Sequence, residues 1–188
     1  MNILYPSVYL DSIYSIDFEY LRAKGVRGVI FDVDNTLVPL NTDEPDIRIV
    51  EFVNELAKTG LSVGLVSNSG KKRVELIKRK FNNVTAISNA MKPFKSKVLK
   101  AMEIMGTNSC NTVLVGDQIF TDVLVANRCS MMTILVKPLT RKEPIYMKLK
   151  RGVERRILNR YTRLNKEKNT IESAIKRKKE ILRNDIDE

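Results

Sequence analysis

The sequence predicts a doubly wound α/β domain built on a parallel sheet, with a basic helical extension behind it. Three observations carry that expectation. From Arg27 to Val136, short apolar runs rich in β-formers alternate with amphipathic stretches. Strands separated by helices pair in parallel and are covered on both faces. Polar and charged residues gather just beyond the apolar runs, at the strand ends where open α/β sheets collect their ligands. The charge also breaks sharply: residues 1–136 hold 16 Lys and Arg against 14 Asp and Glu, whereas residues 137–188 hold 17 against 8. A chain of 188 residues fits one domain with its own core. That domain is expected at 1–140, its motif-bearing core at 27–136 and a basic amphipathic tail at 141–188.

Taken in order, Gly28 to Phe31 reads as a buried strand, short and β-branched. Asp46 to Lys58 keeps close to a helical apolar period through Ile47, Ile49, Val50, Phe52, Val53, Leu56 and Ala57, and Gly60 closes it. Leu61 to Val66 is a second strand and Lys71 to Lys80 a second helix. Val84 to Ile87 is a third strand, and Phe94 to Met105 a helix stopped by Gly106. Thr112 to Val115 makes a fourth strand, Thr121 to Asn127 a helix, and Met132 to Val136 a fifth strand. The segment before Lys24, with Tyr5, Tyr9, Tyr14 and Tyr20, is expected on the sheet's flank and is assigned no chemistry. From Val153 onward, Ile157, Leu158, Tyr161, Leu164, Ile171, Ile175 and Leu182 keep roughly helical spacing in a basic surround, so the tail is one long amphipathic helix or two, either docked on its own domain or free to meet an anionic partner.

Composition excludes several classes of function. Histidine is absent, which removes imidazole bases, imidazole nucleophiles and zinc sites that need that ligand. The two cysteines, Cys110 and Cys129, imply no disulfide framework and suit a reducing cytoplasm. No run approaches the roughly 18 apolar residues of a spanning helix. The first residues show no basic region before an apolar run, so no signal peptide is expected.

Four strand ends carry the chemistry. Asp32 and Asp34 follow the first strand and point the same way by the period of two. Two carboxylates held together repel, a cost offset by a cation or by catalytic use. Ser67-Asn68-Ser69-Gly70 ends the second strand with a hydroxyl, an amide and backbone N–H groups at a helix start, a natural phosphate-oxygen site. Lys92-Pro93 follows the third strand, and Gly116-Asp117-Gln118-Ile119-Phe120-Thr121-Asp122 ends the fourth with two more acids. Each has an ordinary structural reading alone: acids capping a turn, an N-cap, a surface lysine. Acids, hydroxyl and amide, lysine and acids delivered to one edge in that order are far more specific.

In these motifs the chain resembles the haloacid dehalogenase (HAD) superfamily of aspartate-nucleophile phosphohydrolases. FDVDNTL, SNS, the KP lysine and GDQIFTD match its four motifs. More narrowly, SIYSID, FDVDNTLVP, KPFK, GDQIFTD and ERRIL resemble the subfamily IIIA phosphatases of the YqeG type, which are similar in turn to the mitochondrial phosphatidylglycerophosphate phosphatases. The resemblance implies that Asp32 attacks phosphorus to form an aspartyl-phosphate. Asp34 would protonate the leaving oxygen, then activate water, and would lend its backbone carbonyl to a metal. Asp117 would join Asp32 in holding Mg²⁺, with Asp122 a ligand or an outer orienting acid. Ser67 and Asn68 would bind phosphoryl oxygens, and Lys92 would neutralise the nucleophile and the transferring group. Lys95 competes for that last role, but Lys92 before proline fits the family pattern better.

Members of this superfamily commonly insert a cap domain after the first motif or before the third. Here only Leu37 to Pro45 and Ser88 to Met91 stand at those places, so a capless, open site is expected. Such a site suits a substrate that brings its own bulk: a lipid headgroup phosphate such as phosphatidylglycerophosphate, a nucleic-acid end, a phosphoprotein, or a site completed by a second subunit in an oligomer. The basic tail would then hold an anionic membrane surface, each Lys or Arg contributing about 1 kcal/mol, with the apolar stripe adding interfacial burial. The expected location is cytoplasmic, with peripheral attachment to the inner face of the membrane as a further option. The competing expectations are an RNA- or ribosome-associated binding protein gripping phosphates through the tail, and a phosphatase for nucleotides or nucleic-acid ends.

Overall fold

The computed structural model describes residues 2–140, 145–165 and 169–184, with side chains at 145–148 and 180–184 left out of the description. Six strands form one parallel sheet: β1 (Val8–Leu10), β2 (Gly28–Phe31), β3 (Ser62–Val66), β4 (Val84–Ile87), β5 (Thr112–Gly116) and β6 (Met132–Val136), in spatial order β1-β6-β5-β2-β3-β4. Every pairing is parallel. The helices are α1 (Phe18–Ala23), α2 (Ile47–Lys58), α3 (Lys71–Lys78), α4 (Ser96–Met105), α5 (Leu124–Arg128), α6 (Ile145–Leu164) and α7 (Ile171–Asn184).

The five expected strands are present, and a sixth precedes them. β1 pairs with β6 through Val8, Tyr9 and Leu10, so the N-terminal segment extends the sheet as well as flanking it. Its three residues show one buried position, too short for a period to be read. Helix boundaries shift where local chemistry intervenes. α4 starts at Ser96 instead of Phe94 because the Lys92-Pro93 turn, closed by Phe94 N–H donating to Met91 O, occupies the intervening chain. The expected Thr121–Asn127 helix is a wide π turn at Ile119–Val123 running into α5.

β2, β3, β5 and β6 are apolar and almost wholly buried, as strands covered on both faces must be. One buried cluster takes Phe31, Val53, Leu65 and Ile134, and a second takes Ile30, Met102, Leu114 and Val125. The tail folds back onto this body: Tyr161 is 2% exposed, and Ala174 and Ile175 join the first cluster. Asn169 clamps the Tyr9 backbone on both sides, and Arg177 donates to Ser7 O. Much of the apolar stripe expected for a membrane is therefore spent on the domain itself, although Leu164 stays exposed and Leu182 lies outside the described side chains.

The order of strands reverses between β2 and β5. Chain continues from β2 outward to β3 and β4 on one side, then returns to β5 and proceeds to β6 on the other. A crevice opens at the carboxyl ends of the two strands flanking such a reversal. No element stands between β2 and α2 or between β4 and α4 among the described residues, so the crevice is uncapped there.

Candidate active site

The crevice is built from the β2 end outward. Asp32 N–H donates to Val115 O at 2.8 Å, extending the β2–β5 ladder one residue and holding Asp32 beside Asp117. The chain then turns tightly through Val33 to Val38, with Asn35 at φ 65°, a left-handed conformation that asparagine tolerates better than most residues. Asn35 also exchanges side-chain hydrogen bonds with the Thr140 backbone, which brings the exit of β6 to the first motif. The buried Thr36 hydroxyl lies 3.3 Å from both Asp32 Oδ2 and Asp117 Oδ1.

Three acids meet at the centre. Ligand oxygens of Asp32, Asp117 and Asp122 all lie within 4.8 Å of one another, and each residue is buried. Lys92 Nζ bridges two of them, 2.6 Å from Asp32 Oδ1 and 2.7 Å from Asp122 Oδ1. Lys95, the alternative, is exposed at the start of α4. Burial pushes the Asp32 carboxyl well above the usual range, the pull of Lys92 notwithstanding, and neighbouring Asp122 and Asp117 push it further. Burial alone would lower the Lys92 pKa, but Asp122 and Asp32 outweigh it and hold the ammonium charged. Burial likewise pushes Asp117 up to about 7 against the attraction of Arg151. Gly116 is what lets Asp122 in: a Cβ there would lie 2.5 Å from Asp122 Cγ. Asp122 Oδ2 accepts the Gln118 N–H at 3.1 Å, which fixes the carboxylate across its own turn.

Asp34 stands apart from that cluster. Its Oδ2 accepts from Ser67 Oγ at 2.6 Å and Ser69 Oγ at 2.8 Å, and its Oδ1 accepts from Arg73 Nε at 2.8 Å. Arg73 also donates to Pro39 O, Thr42 O and Asp43, tying α3 to the loop after the first motif. The Ser67 hydroxyl thus addresses Asp34. The Asn68 side chain addresses Lys92, accepting its N–H at 2.7 Å and donating to its carbonyl at 3.1 Å. Ser67 and Asn68, expected to face a phosphoryl group, here hydrogen-bond Asp34 and the Lys92 backbone.

Sequence reasoning missed four participants. Thr36, Ser69 and Arg73 lie inside or beside recognised motifs, but nothing in their spacing marks them. The fourth comes from the tail. Arg151 on α6 donates to both the Asp117 carboxylate and its backbone carbonyl, and to Glu154 Oε2 at 3.2 Å. Glu154 is 4% exposed and accepts the Phe120 N–H at 3.1 Å.

Three buried carboxylates are a hard-oxygen donor set suited to a divalent cation, and the two cations beside them, Lys92 and Arg151, are one charge short of three acids. On a doubly wound sheet with this order of strand ends, the protein is a phosphatase of the HAD type. Its sequence places it more closely. Residues 1–140 match the mitochondrial PGP phosphatase family, and the chain belongs to that family. It is 34% identical over 154 residues to "Probable phosphatase YqeG" of Bacillus subtilis (strain 168), covering 82% of this chain and 89% of that one. It is 28% identical over 169 residues to the Arabidopsis thaliana "Phosphatidylglycerophosphate phosphatase 1, chloroplastic/mitochondrial", covering 84% of this chain and only 48% of that longer protein. The fold is shared with the cobalt-bound deoxy-D-mannose-octulosonate 8-phosphate phosphatase of Haemophilus influenzae, at a TM-score of 0.51 and 16% identity over 81% of this chain and 95% of that one.

Proposed function

We propose that the chain is a Mg²⁺-dependent phosphohydrolase that removes phosphate from a lipid-borne phosphomonoester, phosphatidylglycerophosphate being the substrate its relatives' names suggest. The observation that carries the reading is Lys92 Nζ held between Asp32 and Asp122 with Asp117 alongside. A carboxylate with an ammonium 2.6 Å away is positioned for attack on an anionic phosphorus, because the lysine offsets the charge of both. A metal held by Asp32, Asp117, Asp122 and the Asp34 carbonyl would supply further charge neutralisation at the phosphoryl oxygens.

In the first step an Asp32 oxygen bonds to phosphorus as the bond to the ester oxygen breaks, and Asp34 gives that oxygen a proton so that the alcohol departs. In the second, Asp34 takes a proton from water, whose oxygen bonds to phosphorus and expels Asp32. Inorganic phosphate leaves, and both aspartates are restored. Ser67, Ser69 and Arg73 serve this cycle by holding Asp34 in place, and Asn68 by fixing the backbone of Lys92. The open crevice favours a substrate large enough to help exclude water. The exposed arginines of α6, Arg155, Arg156, Arg160 and Arg163, support contact with an anionic membrane. They support RNA phosphates equally well.

The test is phosphate release with Mg²⁺ from phosphatidylglycerophosphate in anionic vesicles, soluble phosphomonoesters and phosphorylated RNA ends. Preference for the lipid, lost in Asp32→Asn and in Asp34→Asn with the fold intact, is expected. Preference for RNA ends would move the substrate to nucleic acid, and substantial turnover by Asp32→Asn would end the mechanism.

A further inference from the structure

The acid that Lys92 does not touch is Asp117, and a residue of the tail has taken it. Lys92 divides its charge between Asp32 and Asp122. Asp117, whose side chain is fully buried, meets Arg151 instead, through its carboxylate Oδ2 and its backbone carbonyl. Arg151 is itself held by Glu154 from one turn further along α6. The neighbouring contacts fall on the same short loop. Lys150 Nζ donates to Gln118 Oε1 at 2.7 Å, and Glu154 accepts the Phe120 N–H. Three successive functional side chains of α6 therefore seat on residues 117, 118 and 120, the loop that also delivers Asp122. The apolar anchoring of the tail lies further along, at Tyr161 and Ile175, so this seat is a polar attachment separate from the core packing.

A cation among Asp32, Asp117 and Asp122 would draw on the same Asp117 carboxylate, whose Oδ2 meets Arg151 and whose Oδ1 lies 3.3 Å from the Thr36 hydroxyl. A guanidinium and a dication sharing one carboxylate repel each other across a low-dielectric site. Arg151 can yield Oδ2 and still keep Glu154. We infer that Arg151 and the divalent cation compete for Asp117, so that metal loading and the seating of α6 on the 117–122 loop oppose each other. The inference rests on the reading that this cluster holds a metal, and it gives the tail a part in the site that neither charge nor membrane contact describes. Linkage is reciprocal: the factor by which Arg151 weakens metal binding is the factor by which metal loosens the Arg151 contact.

Two measurements test it on the full chain, both without substrate. Titration calorimetry with MgCl₂ should show Arg151→Gln binding Mg²⁺ roughly tenfold more tightly than the wild type, within the usual range of site-to-site coupling. Arg151→Lys, which keeps the charge without the planar fork, should fall between the two. Equal or weaker Mg²⁺ binding by Arg151→Gln would overturn the inference, because a residue that merely orients Asp117 for the metal predicts that sign. Hydrogen exchange on the wild type needs no variant: amides of residues 149–154 should exchange faster in MgCl₂ than in EDTA. Unchanged or slower exchange there would also overturn it, as would the failure of both proteins to bind Mg²⁺. If the coupling holds while no phosphomonoester is turned over, only the phosphatase reading fails.

Discussion

A methyl group added at Gly116 would meet the Cγ, Cβ and Oδ2 of Asp122 at 2.5–2.6 Å. Gly116→Ala should therefore push Asp122 away and take Lys92 with it, since the two are joined at 2.7 Å. Displacing catalytic groups by about an ångström costs on the order of a hundredfold in turnover. Phosphate release should fall by about that much, while Gly70→Ala, with nothing within 4 Å of its added carbon, should leave turnover near wild type. Asp117 allows a pH prediction. Its carboxyl is raised from the usual 3.8 to about 7 in the fold, chiefly by burial, so between those values the native state holds a proton that the unfolded chain has lost. Stability then falls as pH rises through that window. Urea midpoints measured in EDTA should decline from pH 4 to 7, and Asp117→Asn should flatten the decline. Lys92→Met removes the counter-charge of two buried acids, a change that costs about 3–5 kcal/mol when one partner of a buried pair is lost. Urea unfolding of that variant in EDTA would measure it.

At the scale of elements, what could be read in advance depended on how much local pattern each one carries. β2, β3, β5 and β6 are continuous apolar runs, β4 is a short β-rich one, and four of them end in residues with chemistry, so strand and site announced themselves together. α2 carried an N-cap at Asp46 and a clear apolar face. β1 did not announce itself because three residues with one fully buried side chain make no period, and only the unpaired edge of β6 reveals their place. The role of Arg151 was invisible for a related reason. One cation among the 17 in residues 137–188 has no distinguishing spacing, and its partner Asp117 lies 34 residues away. α7 offers a direct test of the tail's structural part. Ile175 is 9% exposed within the main cluster, and truncating a buried isoleucine costs about 2–5 kcal/mol. Ile175→Ala should lower stability by that order, read in urea, whereas a tail that merely trails the domain would leave the midpoint unmoved.

Over the whole molecule, the net charge of +11 resides mostly in helices that are docked, and it is their outer face that remains for a partner. No helix among the described residues is long and apolar enough to cross a membrane. Reversing Arg155, Arg156 and Arg160 to Glu should reduce binding to anionic vesicles by about a hundredfold or more, at roughly 1 kcal/mol for each engaged charge. Turnover of a soluble phosphomonoester should be unaffected, since none of the three reaches the crevice residues. The proposed mechanism turns on one claim, that Asp32 is the group that receives phosphate. Rapid acid quenching during turnover of a phosphomonoester, followed by mass spectrometry of the peptide containing Asp32, tests it most directly. A phosphoryl group on Asp32, absent from Asp32→Asn, is the expected result. Turnover by the wild type with that peptide unmodified throughout would contradict it.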